Sequence, residues 1–128
     1  MTEDLARWLG EQLDEDERIA LAASPGPWSA NAEHDEVVAV DGIPVAEGFA
    51  LSGRQLRATV DHIAAHDPAR VLREIEAKRR ILYLAVQLPK VTASTDLFDN
   101  NRDAWAEVLK QLALSYTDRP GFREDWRP

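Results

Sequence analysis

The chain has 128 residues, with 15 Lys and Arg against 23 Asp and Glu, a formal net charge of -8 and no cysteine. That length predicts one domain, residues 1–128, able to bury a core of its own. The acidity argues against broad electrostatic binding to nucleic acid or anionic lipid. The missing cysteine excludes a disulfide scaffold, thiolate zinc ligation and a cysteine nucleophile.

Met1-Thr2-Glu3-Asp4 lacks the basic region and apolar run of a signal peptide, and the most apolar stretch, Ile81 to Leu88, is too short to span a bilayer. A cytoplasmic protein that does not enter the membrane is therefore expected. Thr2 can cap a first helix over 2–23, with Glu3 and Asp4 complementing its dipole. Leu5, Trp8, Leu9, Leu13, Ile19 and Ala20 recur along it at helical spacing, interrupted at Asp16. Ser24-Pro25-Gly26-Pro27 ends it, because a residue before proline is pushed out of the helical region.

Over 28–49 the pattern changes to strand. Val37, Val38 and Val40 lead into Asp41-Gly42, a hairpin signal, and Ile43 and Val45 follow. Trp28 to Ala32 is a candidate third strand, with Glu33-His34-Asp35-Glu36 as its turn. Pro44 cannot donate to a ladder, which makes its strand an edge there.

Ser52 or Gly53 starts a second helix, 54–66, with Leu56, Val60, Ile63 and Ala64 on one face. Asp67-Pro68 then restarts the chain as helix 68–88, aspartate serving as N-cap and proline taking the first helical position. Val71, Leu72, Ile75, Leu82, Tyr83 and Val86 form its apolar positions. Its second half is apolar almost all round, so that end should be buried or paired with another subunit. Residues 89–101 read as a linker, followed by a helix over 102–116 with Trp105, Val108, Leu109, Leu112 and Tyr116 on one face. The tail, 117–128, places Phe122 and Trp126 four apart and is expected to dock on the helices. The whole is an α+β fold: about four helices with a small two- or three-stranded antiparallel hairpin sheet between the first and second.

Three blocks carry a family likeness: the helical opening through Asp14-Glu15-Asp16-Glu17-Arg18-Ile19-Ala20 and on to Gly26-Pro27-Trp28, the segment His62 to Ile81 (HIAAHDPARVLREIEAKRRI), and the ending Tyr116 to Pro128 with FREDWRP. Together they resemble a family of small actinobacterial and actinophage proteins classed only as a domain of unknown function. In that family's pattern a histidine stands where this chain has Arg119, and a tyrosine where it has Phe122. The resemblance therefore implies no histidine ligand or phenol acid in this tail, and it carries no activity to transfer.

Candidate sites gather between Asp61 and Leu82. His62 and His66 are four apart on one helix face, the spacing of a metal-binding pair, with Asp61, Asp67 or His34 as the further ligands such a site needs. Ile63 stands where the zinc-protease motif has its glutamate, so hydrolysis of that kind is not expected. His66 at a helix end is instead suited to capping, and no metal or other cofactor is assigned.

Arg70 and Arg73, near a helix start, could grip a phosphate or carboxylate, and Trp28 could line the same pocket. Lys78, Arg79 and Arg80 complete a basic stretch suited to a partner, although Glu74–Lys78 and Glu76–Arg80 are spaced to pair within the helix. Two helices joined by a short turn also suggest a DNA-binding unit, which the overall acidity disfavours. No nucleophile, paired acid and base, phosphate-binding glycine loop or nucleotide fingerprint is present.

These observations lead to a non-enzymatic accessory or regulatory protein acting through protein–protein contacts, with a homodimer expected from the apolar end of the third helix. The alternative is a protein of phage or mobile-element origin that sequesters a small anionic ligand or nucleotide at Trp28, His62, His66, Arg70 and Arg73. A nucleic-acid-binding regulator comes third.

Overall fold

The computed structural model describes residues 2–91 and 96–128; of 89–91 and 96–101 it describes the backbone only. Four helices, α1 (Thr2–Ala22), α2 (Gly53–Ala65), α3 (Pro68–Val91) and α4 (Asp96–Ala113), accompany three strands, β1 (Ser29–Ala30), β2 (Glu36–Val38) and β3 (Pro44–Glu47). The strands form one antiparallel sheet in the order β1-β2-β3, placed in sequence between α1 and α2. The fold is α+β, with its sheet where the Asp41-Gly42 signal put it.

The hairpin follows from its residues. Gly42 has φ 84 and donates its amide to Ala39, while Asp41 accepts from the Ile43 amide at 3.1 Å, which closes the turn. Pro44 lies on the edge strand, opposite Val38, and the register shifts between Val37 and Val38. The preceding turn is built by Asn31, whose side-chain oxygen accepts from the amides of both Asp35 and Glu36 at 3.0 Å. Glu36, expected within the turn, is consequently the first residue of β2.

The ends of two helices differ from the expected ones. α3 continues through Pro89 to Val91, because a proline in the last turn removes one amide donor without stopping the residues after it. α4 begins at Asp96 and gives way at Leu114 to a short 3-10 turn, Leu114–Tyr116. Most of the segment read as a linker, 89–101, is thus helical backbone, and residues 92–95 of it lie outside the described residues.

The chain divides into two compact units, residues 16–74 and residues 1–15 with 75–128; α1 and α3 each contribute to both. In the first, Val37 and Ala39 are buried with Val60 of α2. In the second, Leu5, Trp8, Leu9 and Leu13 of α1 are buried with Ile75, Ala85, Leu109 and Ala113.

The tail closes this second core. Trp8 meets Trp126 at 5.3 Å, Phe122 at 5.9 Å and, edge-on, Tyr116 at 6.4 Å between ring centroids. The indole Nε1 of Trp8 donates to the Pro120 carbonyl at 3.1 Å. Gly121 passes over the indole with φ 88, and a Cβ there would come within 2.7 Å of Nε1. Ile19, Tyr83 and Val108, expected on buried faces, are instead exposed, since the helical period places them at the margin of each apolar stripe.

Candidate functional site

The α2–α3 turn is built around Asp67. Its Oδ1 accepts from the Arg70 amide at 2.8 Å and its Oδ2 from the Trp28 amide at 2.9 Å. The first bond is the N-cap that Asp67-Pro68 predicts. The second is long-range and ties the Gly26-Pro27-Trp28 corner to the start of α3. Gly26 makes the approach possible: a Cβ there would lie 2.9 Å from both Asp67 Oδ2 and the Ala69 Cβ.

Burial works to raise the Asp67 pKa, but the amides of Arg70 and Trp28, followed by the charges of Arg73 and Arg70, outweigh it and hold the carboxyl below its ordinary value. Asp67 is therefore an ionised structural acceptor with both oxygens engaged. That arrangement leaves no proton for it to give and little basicity for taking one.

The other candidates of this unit are likewise engaged locally. Trp28 is half-buried, with Nε1 donating to Ser24 O at 2.9 Å. Arg70 reaches Glu74 through Nε at 2.9 Å and the Ala65 carbonyl through Nη1 at 3.3 Å, so it caps the end of α2 and pairs along α3. His66 occupies the C-cap of α2, and its Nδ1 lies 2.7 Å from the His62 carbonyl. A carbonyl only accepts, so Nδ1 carries the proton.

The rings of His62 and His66 sit 4.2 Å apart between centroids, tilted by 39°. His34 donates through Nδ1 to Asp61 Oδ1 at 3.0 Å, fastening the β1–β2 turn to α2. Among the described residues no group of three or more His, Asp or Glu is placed to hold a metal ion. Arg73 is exposed, and its charge acts on Asp67.

Further along α3, in the other unit, Arg79 reaches Asp14 at 2.8 Å and Arg80 reaches Glu76 at 2.6 Å. Lys78 Nζ stands 5.6 Å from the Tyr116 ring centroid, whereas Glu74, its expected helical partner, pairs with Arg70. The basic stretch is thus internally compensated over much of its length.

Two apolar surfaces stand out: the second half of α3, which the sequence marks for burial or pairing, and a loop that the sequence reading passed over. On the second half of α3, Leu84 and Leu88 are exposed, and Tyr83, 65% exposed, lines an open groove of about 420 Å³ together with Ala6, Leu82 and Val86 and with Glu3 and Arg7. In the other unit, the loop between β3 and α2 carries Phe49, 85% exposed, and Leu51, fully exposed. The signal for the second was an aromatic and a leucine bracketed by Gly48 and Gly53, at the end of the strand region and ahead of the second helix.

Over residues 2–128 the chain matches a family of unknown function, DUF6221. No curated protein and no solved structure matches it.

Proposed function

Because the chain belongs to that family of unknown function, whose description carries no activity, we propose from its geometry that it is a non-enzymatic accessory protein acting through protein–protein contacts. One observation carries the reading. Tyr83, exposed, lines the open groove, and Leu84 and Leu88 are exposed on the same half of α3, while Trp28, Asp67 and Arg70 spend their polar groups on the fold itself.

Exposed apolar surface rimmed by polar or charged residues marks an interaction site. The groove's apolar walls and its charged Glu3 and Arg7 suit a partner segment that inserts an aliphatic or aromatic side chain and carries charges of both signs around it.

Cross-linking in cells that express the tagged chain, with mass spectrometry of the products, tests this. The reading expects cross-links from residues flanking Tyr83 to one recurring protein, lost in Tyr83→Glu/Leu84→Glu provided its circular dichroism is native. Cross-links unaffected by that pair would overturn it. So would native mass spectrometry showing a stoichiometric small anion retained by the purified protein, which would support the sequestering alternative at Trp28, His62, His66, Arg70 and Arg73.

A further inference from the structure

The unit formed by residues 16–74 carries charges that its own fold leaves uncompensated. Glu36 and Glu47 are directly opposite one another in the β2–β3 register. Like charges so placed repel across the strand pair. Neither carboxylate has a cationic partner among the described residues, and Arg54 and Arg57, exposed on the first turns of α2, have no anionic one. Between the two sets, along six residues of chain, runs the loop with exposed Phe49 and Leu51. The order is acid, aromatic, leucine, base: Glu47, Phe49, Leu51, Arg54.

A segment with that order is complementary to itself run in the opposite direction. From this we infer that the loop between β3 and α2 is an isologous dimer interface, in which a second copy sets its Arg54 and Arg57 against Glu36 and Glu47 and covers Phe49 and Leu51 with its own. A two-fold axis through the loop makes both exchanges at once, as isologous contacts require. The acceptor carboxylates then gain the cations they lack, and two large apolar side chains leave water. The contact is small beside stable interfaces of roughly 1,200 Å² or more, so the dimer forms reversibly and weakens with salt. It uses none of the residues assigned above to the α3 groove, and the failure of one leaves the other standing.

Sedimentation velocity on the full chain across a concentration series tests it. The native protein should pass from monomer to dimer as concentration rises, and raised salt should shift the transition to higher concentration. Glu47→Lys and Arg54→Glu should each raise the dissociation constant about ten-fold or more, the scale seen when a close charge pair is reversed. Mixed in equal amounts, these two variants should re-form a dimer, because each then offers the charge the other lacks. Phe49→Ser/Leu51→Ser should remain monomeric with native circular dichroism. A native protein that stays monomeric throughout would overturn the inference. A dimer indifferent to all four substitutions, or charge-reversed variants that do not recover on mixing, would do so as well; recovery on mixing also shows that each variant has folded.

Discussion

At the residue scale the side chain that does most is Asp67. Its carboxylate satisfies one of the open amides at the start of α3 and, at the same time, an amide 39 positions earlier in the chain. Asp67→Ala should cost about 2–3 kcal/mol in chemical denaturation, roughly 1 for the cap and at least as much for the part-buried Trp28 amide left without an acceptor. Asp67→Asn keeps the acceptor facing one amide only and should cost less.

The pH dependence has a definite sign. The folded carboxyl titrates below its unfolded value of about 3.9, so its stabilisation is complete above that value and is lost as pH falls through the folded one. The stability gap between native protein and Asp67→Asn should therefore close in acid, which denaturation at pH 7 and at pH 3 will show. Gly26→Ala tests the same latch from the other side. A methyl at 2.9 Å from Asp67 Oδ2 and Ala69 must displace one of them, at a cost of about 1–3 kcal/mol in the same assay. The ion pairs of Arg70 and Arg80 along α3 are surface pairs, and their removal should change stability by less than about 1 kcal/mol each.

Among the elements, the tail after α4 shows how a short irregular segment becomes part of a core. Trp126 is 6% exposed and touches Trp8, while Phe122 meets both indoles, at 5.9 and 6.1 Å. Trp126→Ala should lower stability by about 3–5 kcal/mol, the range for emptying a buried aromatic site, with Trp126→Phe recovering much of it. Thermal melts followed by circular dichroism will separate the two.

The spacing of Phe122 and Trp126 is readable in the sequence, but their common partner is not. Trp8 was legible only as one more apolar position of α1, and its bond to Pro120 spans 112 positions. The hairpin was more open to reading. Asp41-Gly42 and Pro44 act on their immediate neighbours, so the turn and the edge strand both stand where the residues imply. The first turn was less so, since the deciding group is the Asn31 side chain, which shifts Glu36 out of the turn and into β2.

For the whole molecule, charge is the property with the widest consequence. The net charge of -8 surrounds a basic stretch whose Arg70, Arg79 and Arg80 already have carboxylate partners. Duplex DNA should accordingly be retained weakly and without the steep salt dependence that several phosphate contacts produce. A fluorescence anisotropy titration at low and moderate salt checks this, and tight, salt-sensitive binding abolished by Arg73→Glu would revive the nucleic-acid reading. No helix among the described residues is long and apolar enough to cross a membrane.

The sequence by itself determined the elements and their order, because capping, turn closure and strand alternation are interactions between residues a few positions apart. Asp67 as a cap, Ser52 as a cap and the hairpin at Gly42 are all of this kind. Tertiary structure alone decided what the functional candidates are free to do. The second oxygen of Asp67 goes to Trp28, Arg79 goes to an aspartate 65 positions away, and Tyr83 is left facing solvent. Each of these outcomes depends on which distant segment arrives next to a side chain, and no spacing along the chain encodes that. For the same reason the cations between Asp61 and Leu82 are mostly compensated within the fold, while Tyr83, Phe49 and Leu51 remain exposed.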